Sequence, residues 1–108
     1  MTADEFRIVA LAIEGAVESS HMKHPDFRIG GKVFATLGYP DDEHAMVKLT
    51  PDQQRTFQKK ASKAFAPCAG MWGKRGATSV TLAAADLALM RTAIEAAAEN
   101  IVSKRNRP

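Results

Sequence analysis

His24-Pro25-Asp26-Phe27-Arg28-Ile29-Gly30-Gly31-Lys32-Val33-Phe34-Ala35-Thr36-Leu37 is the stretch whose reading decides the fold. Phe27 and Ile29 stand two apart on one side of the glycine pair, and Val33, Ala35 and Leu37 alternate on the other. A period of two places such residues on one face of a strand. Gly30-Gly31 supplies the positive φ angles that a two-residue hairpin turn needs. The stretch therefore reads as a β-hairpin with one buried face. Pro25 keeps His24 extended at its entrance.

Towards the N-terminus, Thr2 and Glu5 have capping-box spacing, and Phe6, Val9, Ala10, Ile13 and Val17 follow at helical intervals. That pattern predicts an amphipathic helix over roughly residues 3–18, closed by Ser19-Ser20. His21-Met22-Lys23 leaves room for one short strand leading into the hairpin. Beyond it, Gly38 to Glu43 is polar and turn-forming, and His44 to Leu49 reads as a strand with Val47 and Leu49 inward. An acidic connection this short implies an antiparallel meander. Thr50-Pro51-Asp52-Gln53 starts a second helix, with proline at the first helical position and a second capping box. Only Phe57 and Ala61 form its apolar stripe, so it is expected to be short and peripheral. Phe65 is expected to turn inward, Cys68 to Gly76 to form a structured loop, and Thr78 to Leu82 to form a strand. Residues 84–103 are rich in alanine and free of Gly and Pro, with Leu87, Met90, Ile94, Ala97 and Ile101 as the apolar stripe of a long helix. Asn106-Arg107-Pro108 is expected to fray. The order is α-β-β-β-α-β-α. It predicts one α+β domain over residues 1–108, an antiparallel sheet packed on one face by long N- and C-terminal helices, with a short extra helix between strands.

Size and composition agree with a single folded domain: 108 residues, 45% hydrophobic and 25% charged. No apolar run reaches the ~20 residues of a membrane span, and the first residues lack the pattern of a secretory signal. Cys68 is the single cysteine, which excludes an internal disulfide and fits a reducing cytoplasm. The net charge is only +3 but is unevenly spread. Glu5, Glu14, Glu18 and Asp4 outnumber Arg7 in the first helix. Lys23, Arg28 and Lys32 outnumber Asp26 around the hairpin, and Lys63, Lys74 and Arg75 have no acid near them in sequence. Such a distribution permits a basic face that attracts phosphates, set against the plainer reading of solvated surface cations.

Catalytic chemistry finds little support. His21, His24 and His44 match no zinc-ligand spacing, and Pro25 breaks any helix that would bring the first two together, so no metal and no cofactor are expected. Cys68 between Pro67 and Ala69 reads as a small buried filler rather than a nucleophile. Nucleophile-elbow, P-loop and dinucleotide fingerprints are absent. Met71-Trp72-Gly73-Lys74-Arg75-Gly76 is the most pointed polar stretch. An indole beside two cations on a glycine-rich loop is suited to stacking on a base while the cations meet phosphates. A lone tryptophan in a small domain is more often core, and that is the expectation for Trp72 here.

Two blocks carry a family likeness. His24-Pro25-x-Phe27-Arg28-x-Gly30-Gly31-Lys32-x-Phe34-Ala35 and Trp72-Gly73-Lys74-Arg75-Gly76 resemble the MmcQ/YjbR-like bacterial proteins, and the likeness continues through Leu49-Thr50-Pro51, Phe65, Leu82 and the closing helix. Where that family often has an aromatic after the second block, this chain has Ala77. The resemblance implies a CyaY-like (frataxin-like) fold and a "double wing" arrangement associated with DNA binding. Frataxin's iron chemistry does not carry over, because the acids on the first helix match it only sparsely.

The resulting expectation is a non-enzymatic cytoplasmic domain that contacts DNA phosphates through Arg28, Lys32, Lys74 and Arg75, with Trp72 between them. The alternatives are a protein- or small-ligand-binding module and a dimeric accessory protein joined through its sheet edge.

Overall fold

The computed structural model describes residues 1–105, so the expected fraying of Asn106-Arg107-Pro108 lies outside the described residues. The elements in chain order are α1 (Ala3–Leu11), β1 (Val17–His21), β2 (His24–Ile29), β3 (Lys32–Leu37), β4 (His44–Lys48), α2 (Pro51–Lys60), β5 (Phe65–Pro67), α3 (Gly70–Lys74), β6 (Ala77–Thr81), a 3-10 turn (Leu82–Ala84) and α4 (Leu87–Arg105). The six strands form one antiparallel sheet in the order β1-β2-β3-β4-β6-β5. The helix α4 packs across β2, β3 and β4, with α1 beside it. This is the expected α+β architecture. No helix among the described residues is long and apolar enough to cross a membrane.

The β2–β3 hairpin turns on Gly30 and Gly31, both at positive φ, as read. Its register is less regular than the alternation implied. Phe27 faces Ala35 while Arg28 faces Val33, so Phe34 is an extra residue on β3. This β-bulge turns Phe34 inward with Ala35 and Leu37, all three buried, and leaves Val33 only half-buried. Phe27, Ile29, Phe34, Val47, Phe65 and Val80 then meet Met90, Ile94 and Ala97 of α4 in one core.

The N-terminal helix is shorter than its periodicity suggests. Thr2 and Glu5 form the expected capping box, and Phe6, Val9 and Ala10 are buried. The helix nevertheless ends at Leu11, and Gly15 at φ +82° redirects the chain. Val17, read as the last helical contact, instead begins β1 and is exposed. Pairing with β2 prevails over helical propensity there, and Met22-Lys23 becomes the turn, both at positive φ. The strand expected near Met22 thus lies just before it.

The long helix begins later than expected. Asp86 accepts a hydrogen bond from the Leu89 backbone N–H at 2.9 Å and so caps it, while Leu87 stays partly exposed. The segment from Cys68 to Gly76 is not a loop throughout. Met71 to Lys74 lie in the short helix α3, and Phe65–Pro67 before it forms an edge strand on β6.

Candidate phosphate-binding groove

Antiparallel pairing decides which charged residues meet. Lys32 opens β3, and Lys48 closes β4 opposite Ala77, which opens β6. The start of β3, the end of β4 and the α3 segment ahead of β6 therefore share one end of the sheet. Lys32, Trp72, Lys74 and Arg75, far apart in sequence, are gathered at that end.

The second motif is fixed there by backbone contact. A Cβ at Gly73 would collide with the Cys68 carbonyl, and one at Gly76 with the Leu49 carbonyl. Only glycine lets α3 sit against Cys68, and only glycine at φ +113° lets the chain return beside Leu49. The Leu49 N–H donates to the Gly76 carbonyl at 3.2 Å. Beneath this turn lies Gln54, buried on α2 although its helix looks polar. Its Nε2 donates to the Gly73 carbonyl at 3.0 Å, the Ala77 carbonyl at 3.0 Å and the Thr78 hydroxyl at 3.1 Å. The Thr78 hydroxyl in turn donates to the Gly76 carbonyl at 2.8 Å. Sequence reasoning missed Gln54 because a glutamine in a polar helix has no periodic mark.

Trp72 departs from expectation. It is 57% exposed, not closing the core, and Lys48 Nζ lies 5.7 Å from its ring centroid, within cation–π range. The close glycine contacts fix the backbone of this turn, while the Trp72 indole stays more than half exposed.

Between β4, the start of α2, α3 and the last turns of α4 runs a groove of about 490 Å³. Lys48, Trp72, Arg75, Asn100, Ser103 and Lys104 supply its polar lining, with Leu49, Pro51, Ala97 and Ile101 as its apolar floor, and none of its lining residues is acidic. Lys48 and Lys104 are not among the phosphate contacts expected from the sequence, where Lys104 stands out only as part of a basic cluster at the end of the last helix. Asn100 ties the walls together. Its Nδ2 donates to the Lys48 carbonyl at 3.2 Å and to Gln53 Oε1 at 2.8 Å.

Arg28 stands apart from this groove. It donates from Nε and Nη2 to both carboxylate oxygens of the buried Asp26, at 2.8 and 2.9 Å. These hydrogen bonds, more than the nearby charge, raise the guanidinium pKa further. The pair lies on the sheet face away from α4, since Arg28 and Asp26 alternate with the core residues Phe27 and Ile29. The histidines lie at the opposite end of the sheet from the groove, where His44 Nδ1 is 2.7 Å from Asp41 Oδ1 and His24 meets Tyr39 edge to face. Among the described residues no three His, Cys, Asp or Glu side chains come together as a metal site. Burial pushes the Cys68 thiol pKa up, which suits a filler and not a thiolate nucleophile.

With this geometry in place the comparisons are specific. The YjbR family model matches residues 11–97. The chain belongs to the YjbR family. A crystal structure of a Deinococcus radiodurans protein with a DUF419 domain superposes with a TM-score of 0.80 over 98% of this chain and 82% of that one. At 17% identity that likeness establishes a shared fold. No curated protein sequence is significantly similar to this one. YjbR is not a known enzyme family and has no established function. For this YjbR member, the match spans both blocks singled out in the sequence.

Proposed function

We propose that this protein is a non-enzymatic DNA-binding domain of the cytoplasm, and that its phosphate-binding surface is the groove between α3 and α4. The observation that carries the reading is the convergence of Lys48, Arg75 and Lys104 beside an exposed indole, with no acid in the lining. Phosphates are recognised by such clustered cations, whose binding releases counterions. Lys32 and Lys74, outside the groove's lining but exposed at the same end of the sheet, add to the positive charge there. Arg28 has its guanidinium engaged by Asp26, so it contributes least in this reading. Among the described residues no helix presents a set of base-reading side chains, so binding is backbone-directed and largely indifferent to sequence.

The test is anisotropy of labelled single-stranded and duplex DNA titrated at several salt concentrations. Affinity should fall with salt on a log–log slope equivalent to about three or four phosphate contacts. Replacing Lys74 and Arg75 with alanine should weaken binding alike on every sequence, and each lost phosphate contact should lower the slope by about one. Absence of binding to either form at low salt overturns the reading.

The groove's volume favours one second reading, a small anionic ligand. At about 490 Å³ it falls in the ~300–1,000 Å³ range of ligand pockets. Thermal stabilisation by a phosphorylated metabolite, with indifference to DNA, would select it.

A further inference from the structure

We infer that the groove takes an unpaired nucleotide of a single strand, with its base stacked on Trp72 and its phosphates on Arg75, Lys48 and Lys104. The inference rests on the DNA-binding reading and narrows it to a substrate form. Its ground is the pairing of an exposed aromatic with a cationic wall. In a duplex every base face is already stacked, so its exterior offers phosphates and groove edges but no free ring. An indole that is 57% exposed beside three cations matches a partner with both a free ring and a charge, which is an unpaired nucleotide.

Two further features point the same way. The indole is carried on a five-residue helix that Gly73, Gly76 and Gln54 hold fast against the sheet, so little order is lost when a base stacks on it. The groove, at about 490 Å³, is also large enough to take one nucleotide. Lys48 Nζ lies over the ring at 5.7 Å, so a base that stacks on that face displaces the ammonium towards the phosphate of the same nucleotide. Arg75 and Lys104 come from different elements, α3's end and α4's end, and spread positive charge along the groove for successive phosphates.

The experiment uses the one tryptophan in the chain, so intrinsic fluorescence reports on Trp72 alone. A mixed-sequence single strand, the matching duplex, an abasic strand of equal length and a nucleoside monophosphate are titrated in turn. The single strand should quench the fluorescence and bind about tenfold tighter than either the duplex or the abasic strand. The monophosphate should bind far more weakly than the strand. Trp72→Ala should remove the single-strand advantage and leave the salt slope unchanged, because no charge is lost. Trp72→Phe should retain most of that advantage.

Equal affinity for strand, duplex and abasic strand, or binding with no change in fluorescence, overturns the inference while leaving DNA binding intact. A monophosphate as tight as the strand replaces a polymer with a free nucleotide and also overturns it. Failure of every probe at low salt removes the DNA-binding reading itself. Thermal unfolding of both variants checks that the exposed position is changed without loss of the fold.

Discussion

Gln54 is one side chain whose loss reaches the candidate site without touching it. Its two Nε2 hydrogens are shared among three acceptors that bracket the glycine turn, so it holds α3 at a fixed height above β6. Gln54→Leu keeps the bulk and removes the donor. It should lower stability by about 1–3 kcal/mol, the summed worth of the lost hydrogen bonds at about 0.5–1.5 kcal/mol each, since the Gly73 and Ala77 carbonyls keep the Gly76 and Cys68 N–H groups. Denaturant unfolding should show a lower midpoint at an unchanged m-value. An unaltered midpoint would show that the Gly76 and Cys68 N–H groups alone suffice to hold the turn. Residues of this kind are hard to read from sequence. Gly73 and Gly76 were visible as a motif, but the carbonyls they avoid belong to Cys68 and Leu49, and nothing local names those partners. Trp72 misled for a related reason: whether an indole is inside depends on how closely α3 approaches the sheet, which the glycines decide.

Among the elements, the hairpin, the second helix start and the α4 stripe were legible because each rests on local rules. Turn glycines, the Thr50 capping box and the helical spacing of Met90, Ile94, Ala97 and Ile101 all act within a few residues. The end of α1 and the bulge at Phe34 were not legible, since each is settled by a strand partner. Pairing with β2 draws Val17 out of its helical stripe, and packing against α4 turns Phe34 inward. The loop between β3 and β4 supports a prediction at this scale. Asp41 accepts from the Glu43 backbone N–H at 2.9 Å and contacts His44 Nδ1, and the His44 hydrogen bond is the larger cause of its lowered pKa. A carboxyl whose folded-state pKa lies below its ordinary 3.8 stabilises the fold fully above that value. The contribution is lost as pH falls through the lower, folded value. Asp41→Asn should therefore narrow the stability difference between neutral and acid pH, with variant and parent converging at strong acid. Chemical denaturation across the acid range checks this, and parallel pH profiles for the two proteins would contradict it.

At the scale of the whole molecule, the α+β class followed from element order, and the antiparallel meander of β1 to β4 from the short connections between strands. The groove did not, because its parts are spread along the chain from Lys48 to Lys104. Lys48, Trp72 and Lys104 meet only after β4, β6 and α4 have docked. The small strand β5 and helix α3 escaped notice in sequence for want of length, yet together they form the outer edge that presents the motif.

The Asn100 amide, bonded to the Lys48 carbonyl and to Gln53, joins the last turns of α4 to the middle of the chain. An occupant that spans the same gap acts as a second clasp on that joint. Occupancy and unfolding are then linked by mass action, and a ligand at a hundred times its Kd adds about 2.7 kcal/mol of resistance to opening. Amide hydrogen exchange near Asn100 should slow when the groove is filled, and exchange in the β1–β2 hairpin should slow less wherever it occurs by local fraying. No slowing near Asn100 with the probe at saturating concentration would place the occupant elsewhere. The joint that brings the two walls together is thus also the place where a bound molecule would lengthen the protein's lifetime.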